Sequence, residues 1–296
     1  MRDLYRYIWK VSGPRQVVLS ALAVGLFLVE LAPLELQRRI VNDAVAHRDF
    51  RFIAELCLVY AGVALAHGAL KFALNVYRSS VGEAATRRLR MNAHAPTGTP
   101  PDHEGVAVSI VVSEVEVVGG FIASSFSVPV LNAGILLSVL GYMVYTQPWL
   151  ALVAVLLFCP QVLFIPLLQA AINRRSEARI RVLRALSVNI VDGADGGAYT
   201  AGVKEGYRLN LEIFRRKFGM NFLMNFMYQL GVVGILSVGS WLFLEGRTEV
   251  GTIVAFISGL NRMNDPWGDL VDFFRDLTNA AVRFRLIAPA IGELPS

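Results

Sequence analysis

The chain has 296 residues, of which 55% are hydrophobic and only 17% are Asp, Glu, Lys or Arg, and its mean hydropathy is +0.51. That balance excludes an ordinary soluble globular domain. The net charge of +5 is too modest and too dispersed for a nucleic-acid surface. Cys57 and Cys159 both fall inside apolar runs and read as core filler rather than a disulfide or metal pair.

Met1–Lys10 places Arg2, Arg6 and Lys10 on one helical stripe, with Leu4, Tyr5, Ile8 and Trp9 elsewhere. This spacing predicts an interfacial elbow helix over residues 1–14, lying under the lipid headgroups. No small-x-small cleavage site follows, so the segment is expected to be retained rather than removed as a signal peptide. Six apolar spans are predicted, at about 16–37, 52–77, 117–146, 147–173, 218–244 and 250–266. Together they define an all-α membrane protein with long helical extensions and a membrane domain over 15–290.

The first span carries Glu30 and Glu35, and the second carries Glu55, His67 and Lys71. A charge near mid-bilayer costs about 2.5–3.5 kcal/mol, so such groups line a polar path or sit at a rim. Glu30, Glu35 and Glu55 are expected near the outer rim, close to Arg38, Arg39 and Arg51. The second span continues as a helix through RSSVGEAATRRLR until Pro96, Pro100 and Pro101 forbid it. The returning VAVSIVVSEVEVVGGF is β-branched, but Ser109, Ser113, Glu116 and Gly120 recur at helical spacing and the segment runs unbroken into a span. It is predicted to be a helix.

Pro148 breaks the chain between the third and fourth spans. Residues 174–217 then carry 10 Lys or Arg between two charge-free runs, and fold back at VDGADGG. The stretch is predicted to form two antiparallel helical extensions with the turn near Asp192–Gly197. In the last span Asn261, Arg262, Asn264 and Asp265 interrupt the apolar pattern beside Pro266. They are candidates to border a polar cavity, although Arg262 and Asp265 at i, i+3 could pair with each other. Of the 28 basic residues, 22 lie in segments 1–16, 78–106, 174–217 and 262–296. The positive-inside rule therefore places both termini and both long arms in the cytoplasm.

No catalytic constellation emerges. Gly197 and Gly202 have the spacing that opens a phosphate-binding loop, but Val203 precedes Lys204 and no strand comes before them. His103-Glu104 lacks the second His of a zinc-protease helix. On this reading the chain binds no metal or nucleotide of its own and is not an enzyme alone.

The order of parts resembles the transmembrane domain of an ABC exporter. The most family-like pieces are IVNDAVAHRDFRFIAEL, EGVAVSIVVSEVEVVGGF, AGVKEGYRLNLEIFRRKF and EVGTIVAFISGLNRMNDPWGDL. The resemblance implies that the arm tips dock on nucleotide-binding domains and transmit ATP-driven closure. By position, Asp192, Gly193, Ala194, Asp195, Gly196, Gly197 and Tyr199 would form the second coupling element. Ala93, His94, Asp102, His103 and Glu104 would form the first. It also implies that a second six-span subunit, identical or different, completes the pathway in the cytoplasmic membrane. ATP and Mg²⁺ would sit on a separate ATPase subunit, since residues 291–296 stand where an ATPase domain follows in many relatives. The first tip departs from the family in having prolines where a short helix is normal. A transport-deficient scaffold or regulator with the same fold is the competing reading.

Overall fold

A computed structural model describes residues 2–46, 50–92, 104–191 and 196–288. Every regular element among them is helical: α1 (Arg2–Val29), α2 (Ala32–Ala46), α3 (Phe50–Asn92), α4 (Glu104–Ser124), α5 (Ser127–Thr146), α6 (Pro148–Val191), α7 (Gly196–Leu244) and α8 (Val250–Ile287). Five helical segments are long and apolar enough to cross a membrane: Arg2–Val45, Phe50–Asn92, Glu114–Thr146, Pro148–Leu183 and Tyr199–Leu244. The chain is thus a multi-span helical membrane protein. α8 is not one of the five, because its apolar run ends at Leu260 before Asn261 and Arg262.

Two compact units are present, one made of residues 1–148 with 245–296 and the other of 149–244. In the first, α8 packs against α2, α4 and α5, while α3 packs against α1, α2 and α4. Its main core joins Leu4 and Ile8 of α1 to Val115, Val118 and Ile122 of α4 and to Phe273, Leu277 and Phe284 of α8. The predicted elbow helix therefore buries its apolar stripe against protein, with Leu4 and Ile8 at 1% and 0% exposure. Its end is marked at Ser12, whose φ of −140° and ψ of 16° leave the helical region two residues before Pro14.

Two breaks interrupt what the apolar pattern reads as single spans. The first, at Glu30–Leu31, separates α1 from α2. Pro33 lacks a backbone N–H and its ring collides with the carbonyl four residues earlier, so the helix ladder cannot continue through it. The second, at Ser125–Phe126, separates α4 from α5. Here three hydroxyls compete with the amides for helix carbonyls: Ser124 donates to Phe121 O at 3.1 Å, Ser125 to Ile122 O at 2.9 Å and Ser127 to Ala123 O at 3.2 Å. Gln16 Nε2 donates to the same Ile122 carbonyl at 2.8 Å, which ties the kinked start of α1 to this break.

The close approach of α3 to α4 depends on small residues. A Cβ on Gly119 would lie 2.9 Å from the Cα of Thr86, and one on Gly82 would lie 3.2 Å from the Cβ of Ala123. Between α5 and α6, Gln147 is extended and its Nε2 donates to Arg247 O at 3.0 Å, and Pro148 opens the new helix. α8 runs without interruption through Pro266. Cys57 and Cys159 are free and exposed on their helix surfaces, so neither fills a core as the sequence suggested.

The second unit is α6 with α7, of 44 and 49 residues, or about 66 and 74 Å of helix. Each is more than twice the roughly 30 Å thickness of a bilayer core.

Candidate functional site

Helix α7 pairs with α6 in one antiparallel register from Val153 opposite Gly234 to Leu186 opposite Gly202. Val153 and Leu157 face Gly234, Glu212 takes an ion pair from Arg175, Val182 faces Gly206, and Leu186 faces Gly202. A Cβ on Gly202 would come within 2.6 Å of Leu186 Cδ2, and one on Gly234 within 2.8 Å of Leu157 Cδ1, so glycine admits a close contact toward both ends of the pair. The basic stretch 174–217 is thus carried on a paired helical arm continuing both apolar segments. Arg216 adds a second cation at 3.5 Å from Glu212, and the adjacent Arg175 guanidinium holds that carboxyl below the usual carboxylate range.

At the arm's end, Gly196, Gly197 and Tyr199 lie in the opening turns of α7, with Tyr199 exposed. Asp192, Gly193, Ala194 and Asp195 lie outside the described residues. So do Ala93, His94, Asp102 and His103 of the first arm, while Glu104 is the first residue of α4. The long continuation of α3 to Asn92 carries the first arm far beyond its apolar run.

The second candidate region lies in the first unit. Arg262 of α8 reaches Glu30 at the α1–α2 break, and His67 Nε2 of α3 meets the other oxygen of the same carboxylate. The three side chains are only 13–24% exposed. Three helices thus converge on one carboxylate at the α1–α2 break. Arg262 does not pair with Asp265, the local alternative left open by the sequence; Asp265 and Asn261 are exposed and Asn264 is half-buried. Nor does Glu30 join the arginines at the rim.

Glu35 does hold the rim. It accepts from Arg38 Nε at 2.9 Å, Arg39 Nε at 2.7 Å and the Tyr142 hydroxyl at 2.9 Å. Asn42 then fastens α2 to the start of α8, accepting from the Gly251 amide at 2.7 Å and donating to Glu249. Glu30 and His67 escaped the sequence-based site. The signal was present, since both are ionisable residues inside apolar runs, but their partner stands on a helix remote in sequence.

No family model matches the chain. Two curated relatives do, both described as a multidrug efflux ATP-binding/permease protein, one from Mycobacterium bovis (strain BCG / Pasteur 1173P2) and one from Mycobacterium tuberculosis (strain ATCC 25618 / H37Rv). Each is 25% identical over 297 aligned residues, covering 88% of this chain and 24% of the relative. The chain is a weak homologue of these efflux permeases. It spans about a quarter of their length, and its apolar helices fit an ABC membrane domain.

Proposed function

We propose that this chain is the membrane subunit of an ATP-driven ABC exporter. In this reading α8 completes a six-span bundle, two such subunits form the pathway in the cytoplasmic membrane, and a separate ATPase subunit docks at the arm tips. Both termini and both arms are cytoplasmic. The observation that carries the reading is the α6–α7 arm, a rigid helical lever that extends two apolar segments far beyond bilayer thickness. The similarity to efflux permeases over most of the chain supports it.

The chain supplies no phosphate-cradling loop, so ATP and Mg²⁺ belong to the partner. The coupling contact is Asp192–Gly197 with Tyr199, and the proline-broken tip holding Ala93, His94, Asp102, His103 and Glu104 contributes less. The Glu30–Arg262–His67 cluster, with Asn261, Asn264 and Asp265 beside it, borders the substrate path. The test is reconstitution with a co-purifying chain that carries a Walker A motif. Asp192→Lys with Asp195→Lys should leave the membrane complex assembled and abolish substrate-stimulated ATP hydrolysis. Persistent coupling in that variant, with loss on Asp102→Lys and Glu104→Lys, assigns the contact to the other arm. Absence of any ATPase partner favours the scaffold.

A further inference from the structure

The first unit holds a cavity of about 520 Å³ between the kinked start of α1 and the extension of α3. Its walls are Val11, Val81 and Met91, and its mouth carries Arg15, Arg87 and Arg88. Ser12, which departs from helical geometry, and the proline at 14 both line the cavity, opposite the extension of α3. All three arginines are exposed, and among the described residues no carboxylate pairs with any of them. This contrasts with Arg38 and Arg39, which share Glu35, and with Arg90 and Arg175, which pair with Glu116 and Glu212.

Three unpaired guanidinium groups over an apolar floor describe a site for a phosphate attached to something greasy. The cavity lies where the apolar run of α1 begins, and the exposed Val18, three residues on from Arg15, continues the same face of the helix. A soluble phosphate would leave the floor and this track empty. A zwitterionic headgroup would bring an ammonium into a cluster that is already positive. We infer that this cavity binds one anionic phospholipid of the inner leaflet, its phosphate held by Arg15, Arg87 and Arg88 and an acyl chain passing Val18. The lipid would brace the elbow helix against α3. The inference does not depend on transport.

The test is native mass spectrometry of the full chain in detergent, titrated separately with phosphatidylglycerol and phosphatidylcholine. Wild type should retain one phosphatidylglycerol per chain with about a hundredfold preference over phosphatidylcholine, the sum of three arginine contacts. The triple variant R15Q/R87Q/R88Q should bind the two lipids equally. The control triple R174Q/R181Q/R215Q, which removes as much charge elsewhere, should keep the preference. If the first triple does not fold, Ala84→Trp decides: it fills the cavity with all three arginines kept, and should also lose the bound lipid. Equal binding of both lipids by wild type, or unchanged phosphatidylglycerol on A84W, overturns the inference. So does displacement of the lipid by millimolar inorganic phosphate, which would assign the site to a soluble anion.

Discussion

Adjacent glycines in α4 should respond in opposite directions to the same added methyl group. At Gly119 the new Cβ would meet the Cα of Thr86 at 2.9 Å, a backbone atom of the neighbouring helix that cannot rotate aside. α3 and α4 must then separate, at a cost typical of overpacking, about 1–3 kcal/mol. The intrinsic gain of Ala over Gly in a helix, at most about 1 kcal/mol, offsets only part of it. At Gly120 a Cβ meets nothing within 4 Å and only the gain remains. With about 2–4 °C of melting temperature per kcal/mol for a chain of this size class, Gly119→Ala should melt up to about 8 °C lower than wild type. Gly120→Ala should melt about 1–3 °C higher. Thermal unfolding of both variants in one detergent, followed by light scattering or circular dichroism, measures this. If Gly119→Ala melts at or above wild type, the close approach of α3 to α4 is wrong.

Glu30→Gln should destabilise the fold by about 1–3 kcal/mol, because it leaves Arg262 in a largely enclosed place without its anion; pairing it with Arg262→Leu should recover part of that loss, and additive losses would refute the contact. Gly202→Leu should force the arm helices apart at Leu186 and reduce ATPase coupling of the reconstituted complex, while Gly219→Leu, with open space at its Cβ, should not. The arm should also depend on acid in one direction only. Glu212 has a depressed folded pKa, so its contribution is complete above the unfolded value of about 4.3 and is lost as pH falls through the folded value. Hydrogen exchange of residues 174–217 should be unchanged between pH 6 and 8 once corrected for intrinsic rates, and protection should fall well below pH 4.3; loss on raising the pH would contradict the Arg175–Glu212 pairing.

The helices, the two long arms and the hairpin at Pro148 could be read from the sequence because periodicity, charge and proline act locally. The breaks at Glu30–Leu31 and Ser125–Phe126 could have been read too. Pro33 and the Ser124, Ser125, Ser127 group are plain in the sequence, but an apolar-run criterion passes over a proline and three small hydroxyls without a gap. The partner of Arg262 was not legible. Helical spacing offers Asp265 three residues away, and only the packing of α1, α3 and α8 brings Glu30 and His67 to it. The elbow's burial was hidden for a similar reason: a stripe facing α4 and α8 has the same pattern as one facing lipid.

The composition of α8 bears on how the protein is made. Its uninterrupted apolar run, Val250–Leu260, is 11 residues long, about half of what a bilayer core demands. Arg262 and Asp265 each add about 2.5–3.5 kcal/mol against partition from the translocon into lipid. Such a segment does not partition as a lone helix. On the six-span reading proposed above it would enter a site already lined by α2, α4 and α5, where Glu30 meets Arg262 and Asn42 meets the Gly251 amide. Biogenesis on that reading would be ordered: the earlier helices would act as a template, and a lesion at Glu30 or Asn42 should surface as failed insertion of a helix more than two hundred residues downstream.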